Sequence, residues 1–145
     1  MRLDSAGLEI LDREECLKLL AGAPIGRVIY TEQALPAVQP VTYAFHDGAV
    51  VLRTAAGSRL ATATGDTVVG FQADEFHPDT GAGWSVMIMG RAAAVTDPAE
   101  RAELDRLRMR QWSRGLPGDY IKIDAERASG RWTPGVFSGP DAFYR

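Results

Sequence analysis

The stretch VLRTAAGSRL, residues 51–60, decides how the rest of the chain is read. It continues an apolar run, Val50-Val51-Leu52, the pattern of a buried strand. Arg53 and Thr54 follow, then a small-residue turn, Ala55-Ala56-Gly57, where backbone can approach a ligand closely. Ser58 and Arg59 open a short predicted helix over 58–63. Two guanidinium groups and two hydroxyls around a strand-to-helix turn describe an anion cradle. Backbone N–H groups attract negative charge there, and Arg grips phosphate through paired hydrogen bonds. The same letters also describe a solvated turn with a Ser cap and surface Arg. Both readings stay open on this stretch alone.

Toward the N-terminus, residues 1–11 read as a tail or an edge segment. Asp12 opens a predicted helix, DREECLKLLAGA, with Glu15 three residues on as a capping-box partner. Cys16, Leu19 and Leu20 form its apolar stripe, and Gly22 and Pro24 end it. Residues 25–31 and 37–45 read as strands around a turn at 32–36. The second contains Pro40, which cannot donate to a ladder, so it is expected at an edge or a bulge. His46-Asp47-Gly48 is a hairpin signal leading into the opening stretch.

Toward the C-terminus, 68–73 is a predicted strand and 74–83 a polar loop. WSVMIMGRAAAV, 84–95, is a long apolar strand interrupted by Gly90-Arg91. Thr96-Asp97-Pro98 starts a helix running to about 108, with a solvated polar face. Residues 108–118, RMRQWSRGLPG, are irregular and locally basic, read as an active-site rim rather than a duplex-binding patch. Residues 119–124 alternate as a half-buried strand, with Ile121 and Ile123 on one face. ERASGRW, 126–132, closes the sheet, and the tail beyond Pro134 keeps Phe137, Phe143 and Tyr144. About six to seven mostly consecutive strands with flanking helices argue an α+β fold whose antiparallel sheet closes into a barrel. No dinucleotide or nucleotide-binding glycine fingerprint is present.

A chain of 145 residues suits one domain, 1–145, with 1–11 and 135–145 as flexible or dimer-packing tails. Net charge of -3 argues against a general nucleic-acid binder. No apolar run approaches the ~20 residues a membrane span needs, and the N-terminus lacks a secretory h-region. One cysteine fits a reducing cytoplasm, with Cys16 as helix packing rather than a nucleophile. With two histidines, a structural zinc site is not expected. Ser58 lacks a G-x-S-x-G setting, and no acid/base pair stands out, so a hydrolase is unsupported.

The chain resembles the pyridoxamine-5′-phosphate-oxidase-like FMN-binding split barrels. Thr54, Ser58 and Arg59 match that family's phosphate segment. Four further matches follow its order: a helix before Gly26-Arg27-Val28; Pro40-Val41-Thr42-Tyr43; Trp84-Ser85 leading to Gly90-Arg91; and Ser129-Gly130-Arg131. The resemblance implies a Greek-key split barrel, a homodimer, and FMN at its two-fold interface. Arg53, Thr54, Ser58 and Arg59 would then hold phosphate. The main chain of Gln39, Pro40, Val41 and Thr42 would meet the ring edge, with Ser85 donating to the ring and Trp84 packing on ligand or partner, or serving as plain core or interface. F420 is the alternative cofactor; FAD and haem rank lower. Trp112 and the C-terminal aromatics are candidates from the second subunit.

Departures bear on activity. The vitamin-forming oxidases carry Arg-Lys after the serine, where Arg59 is followed by Leu60. Ala128 stands where they carry Trp, and their Arg-x-His substrate grip has no counterpart in 132–136. The expectation is a flavin- or F420-dependent oxidoreductase of small molecules, distinct from pyridoxamine-phosphate oxidase. A non-catalytic flavin- or haem-binding carrier or sensor of the same fold is the alternative. A nucleic-acid-associated regulator would require salt-sensitive binding.

Overall fold

Local chemistry sets the first helix. Asp12 caps α1 (Arg13–Gly22): its carboxylate accepts from the Glu15 N–H at 2.8 Å, and Glu15 Oε2 accepts from the Asp12 N–H at 3.0 Å. The expected capping box is therefore present. α1 buries Cys16 and Leu20. The computed structural model describes residues 2–55, 57–107, 109 and 118–135.

Strands β1 (Arg2–Leu3), β2 (Glu9–Ile10), β3 (Ile25–Glu32), β4 (Leu35–Thr42), β5 (Ala44–His46) and β6 (Ala49–Ala55) precede the short helix α2 (Arg59–Ala63). Strands β7 (Thr67–Phe76) and β8 (Gly83–Ala94), helix α3 (Pro98–Asp105), and strands β9 (Gly118–Asp124) and β10 (Arg127–Thr133) follow. The seven longer strands match the expected number. Three short ones, β1, β2 and β5, add to it.

Every ladder is antiparallel. β3 pairs with β4 and β7, β7 with β8, β8 with β9, β9 with β6, and β6 with β5. Only Tyr43 separates β4 from β5, so they are two halves of one bent strand and the ladder returns to its start. The ring is a Greek key, because β7 comes back to lie beside β3 after β3, β4/β5 and β6. At the bend the Tyr43 hydroxyl donates to the Leu20 carbonyl, and its ring meets Phe71 edge-on with centroids 4.7 Å apart.

On the side away from β7, β8 serves two partners in turn. Gly83–Met89 ladders with β10, and Ala92–Ala94 with β9. Gly90 sits at the changeover, where a Cβ would lie 1.7 Å from the Asp124 carbonyl oxygen. A side chain is excluded there, and the barrel splits because β10 leaves it carrying β2 and β1. Residues 2–10 thus form a sheet edge, tied by Arg131 Nε donating to Asp4 Oδ2 at 2.7 Å.

Three expected boundaries move. β4 ladders only with β3, so Pro40 does lie on an edge, but the strand expected over 37–45 breaks at Tyr43. The turn at 32–36 tightens to Gln33-Ala34, both left-handed at φ 50 and 64. No glycine or asparagine there signals it. The polar loop shrinks because Asp74, Glu75 and Phe76 pair with Ser85, Trp84 and Gly83.

Val28, Val50, Leu52, Phe71, Val86, Ile88 and Ile123 fill the barrel. Val51, Val95, Leu104 and Tyr120 form a second cluster beneath α3. Tyr120 is buried there, opposite the face carrying Ile121 and Ile123, so α3 covers what the alternation presents as a solvent face. Among the described residues no helix is long and apolar enough to cross a membrane.

Candidate functional site

The cradle residues divide between two faces of β6. Thr54 follows Val50 and Leu52 on the barrel side, whereas Arg53 follows Val51 on the α3 side. Thr54 and Ser58 meet through their hydroxyl oxygens at 2.8 Å, and Ser58 Oγ accepts the Ala61 N–H at 3.1 Å as the α2 cap. The pair shares one hydrogen internally, which leaves one hydroxyl proton for a ligand. Arg53 lies with its guanidinium 5.0 Å from the Tyr120 ring centroid. Its Nε is buried and has no hydrogen-bond partner among the described residues. Burying a cationic donor without an acceptor costs free energy that an anionic oxygen would recover.

Arg59 turns the other way. Its Nε and terminal nitrogen donate to Glu32 Oε1 at 2.8 and 2.5 Å. That hydrogen bond raises its pKa above the ordinary value. Thr31, Glu32 and Gln33 from the β3–β4 hairpin, with Gly57, Arg59 and Thr62, line a cavity of about 360 Å³. Gln33 and Ala34 hold left-handed backbone at its rim, a strained conformation for residues with a Cβ. The structure thus joins Thr54 to Ser58, places Arg59 over a neighbouring cavity, and sets Arg53 behind the strand.

From that cavity the outer face of β3 runs Thr31, Ile29, Arg27, because Val28 and Tyr30 point into the core. Four residues of strand cover about 14 Å. The middle of this track is apolar. Gly70 on β7 carries no side chain, and the Cβ it lacks would sit 2.8 Å from Met87 Cε and 3.3 Å from Ile29 Cβ. Ile29 and Met87 therefore close over Gly70 as a floor.

At the far end stands a polar cluster. Arg27 donates to Gln72 Oε1 at 2.9 Å and lies 3.5 Å from Asp74 Oδ2. Gln72 Nε2 donates to Asp74 Oδ2 at 2.8 Å and to Ser85 Oγ at 3.1 Å. Ser85 is thus on the trough side, beside the polar cluster. Trp84 alternates inward and is buried in the barrel core. Pro40 pairs with Arg27 and Gln39 with Val28; both are exposed, while Val41 is buried and Thr42 half-buried.

Arg27, Glu32, Gln72 and Asp74 escape the sequence reading. Gln72 between Phe71 and Ala73 was the available signal, a polar residue inside an apolar alternation. Asp74 was assigned to a loop. The rim reading of 108–118 falls largely on residues 108 and 110–117, outside the described residues, as do Trp112, Phe137, Phe143 and Tyr144. Cys16 is buried against Gly130, and burial pushes its thiol pKa up, the behaviour of a packing residue.

The family profile described as pyridoxamine 5′-phosphate oxidase matches residues 12–132. The chain belongs to this family. An uncharacterised Mycobacterium tuberculosis protein, Rv0080, is 35% identical over 125 residues, covering 83% of this chain and 82% of its own. An FAD-binding protein from Mycobacterium smegmatis superposes with a TM-score of 0.72 at 30% identity, over 85% of this chain and 95% of that one. A Corynebacterium diphtheriae protein of unknown function gives 0.73 at 27% identity, over 86% and 97%. The family's α+β antiparallel barrel is the fold found here.

Proposed function

We propose that this chain binds a flavin nucleotide along the β3 trough and serves as a flavin-dependent oxidoreductase of small organic molecules. One observation carries the reading. The Arg59 cavity at Thr31 and the polar cluster at Arg27 lie about 14 Å apart along one face of β3, with Ile29, Gly70 and Met87 as an apolar floor between them. Phosphate, ribityl chain and ring need that sequence of surroundings. The similarity to an FAD-binding protein at 30% identity supports a flavin. FAD therefore stands beside FMN, with F420 the alternative that shares a phosphate and a tricyclic ring.

On this reading Arg59 and the Thr54–Ser58 pair beside it bind phosphate, Arg53 contributes only by reaching round the end of β6, and the exposed Gln39–Pro40 strand lies along the ring edge. Ile29 and Met87 exclude water from one ring face, and Ser85 orients the ring. The bound flavin supplies hydride transfer. The absence of the Arg-x-His grip from 132–136 fits a role other than pyridoxamine-phosphate oxidation. The same sheet face exposes Val38, Val68 and Met89, an apolar set that suits a second copy of the chain closing the trough.

The test is titration of purified protein with FAD, FMN and F420, then anaerobic addition of NAD(P)H or reduced F420. Saturable flavin binding with reduction of the bound flavin supports the reading. Turnover of pyridoxamine phosphate at ordinary enzyme rates contradicts it, and binding without reduction favours the carrier alternative.

A further inference from the structure

We infer that Arg27 and Gln72 form a relay that fixes Ser85 as a hydrogen-bond donor to an acceptor atom of the ring lying in the trough. The inference rests on the flavin reading above.

The polarity of the cluster follows from which groups can only donate and which can only accept. Arg27 has donors alone, so the Gln72 atom 2.9 Å from it must be the amide oxygen. Asp74 has acceptors alone, so the Gln72 atom 2.8 Å from Oδ2 must be the amide nitrogen. A flipped amide would face Arg27 with N–H groups and Asp74 with a carbonyl, and both contacts would become repulsive. The two Gln72 hydrogens are then committed, one to Asp74 and one to Ser85 Oγ at 3.1 Å. Ser85 Oγ is an acceptor inside the cluster. Its own hydrogen cannot point back at Gln72 Nε2, and it has no acceptor among the described residues. It is left facing outward, with a guanidinium two hydrogen bonds behind it.

A bare serine hydroxyl can donate or accept, so it does not choose between ring atoms. Here Gln72 fills one of the two lone pairs and the hydrogen finds no acceptor in the cluster, so that hydrogen takes its partner from the ligand. It selects a carbonyl oxygen, or a ring nitrogen that stays unprotonated on reduction, and it favours the ring form that carries more negative charge. Reduction adds electron density to those acceptors, so this hydrogen bond strengthens on reduction. Arg27 and Gln72 touch no ligand in this scheme; they are positioning residues acting through Ser85.

The test is a double-mutant cycle on flavin-loaded protein, using FAD and FMN as probes. The readout is the ratio of reduced-to-oxidised flavin affinity, measured as the midpoint potential of bound flavin. Ser85→Ala and Gln72→Glu should each lower that ratio about tenfold or more, the effect of losing one hydrogen bond to a charged acceptor. Gln72→Glu captures the serine hydrogen inward, but it also adds a charge. A pure charge effect persists in the Ser85→Ala background, whereas the relay effect disappears there. Gln72→Met adds no charge and should lose part of the ratio in the wild type and nothing in the Ser85→Ala background. Thermal melts confirm that each variant folds.

Losses that add across the cycle overturn the relay. So does a Ser85→Ala protein with the wild-type potential, although flavin binding itself then still stands. A wild-type protein that binds neither flavin removes both the relay and the function it rests on.

Discussion

At the residue scale, the two arginines of the opening stretch have different standing. Arg53 brings a buried Nε with no hydrogen-bond partner among the described residues, whereas Arg59 must leave Glu32 to reach a ligand. Glu32→Gln should therefore tighten flavin binding about two- to fivefold, the size of one exposed ion pair. Arg59→Ala should weaken it about tenfold if a charge-assisted hydrogen bond to phosphate is lost. Fluorescence titration of both variants checks the pair of signs, and no change in either removes Arg59 from the cradle. The hydroxyl half of the cradle was legible in the sequence, because Thr54 and Ser58 are four residues apart across a tight turn. The separation of Arg53 from Thr54 follows from strand alternation alone. Glu32 was not legible, since its contact with Arg59 spans 27 residues and depends on a hairpin that no glycine announces.

At the element scale, β8 and α3 carry the expectations. Gly90→Ala places a methyl group against the Asp124 carbonyl where β8 changes partner. It should cost about 3 kcal/mol in denaturant unfolding, and a near-neutral result would mean that the crossing is looser than described. α3 is held by Leu104 in its cluster, by Tyr120 donating to Asp105 at 2.6 Å, and by Lys122 donating to Glu100 at 2.9 Å. Burial, then the Asp105 hydrogen bond, raises the Tyr120 pKa, and burial raises that of Tyr43. A raised tyrosine pKa favours the neutral form in the fold. Its contribution is complete below about pH 10 and is lost as pH rises through the folded value. Thermal melts between about pH 8 and 11 should show that decline. Tyr120→Phe should flatten part of it, with Tyr43 accounting for the rest. The helix caps at Asp12, Ser58 and Asp97 were readable because capping is local chemistry. The break at Tyr43 was not, because it belongs to the closure of the ring rather than to its own neighbours.

At the scale of the whole molecule, the barrel was legible because strands dominate and lie consecutively in the chain. What the sequence could not display is that one face of β3 links the cradle to the Ser85 cluster, since that needs the register of β3 against β4 and β7. The face beyond it exposes Val38 at 60% and Val68 at 62%. Sizing with light scattering should give a dimer, about twice the 15.7 kDa chain. Val38→Lys should shift it toward monomer, and an unchanged mass for that variant would place the contact elsewhere. The central claim is that one ligand lies from the cradle to Ser85, held by phosphate at one end and by its ring at the other. The most direct measurement is a parallel titration with riboflavin, FMN and FAD, read by fluorescence quenching. The account predicts saturable binding, with FMN or FAD at least about tenfold tighter than riboflavin, the value of one charge-assisted phosphate contact. Equal affinity for riboflavin and its phosphorylated forms, or no binding by any of the three, would contradict it.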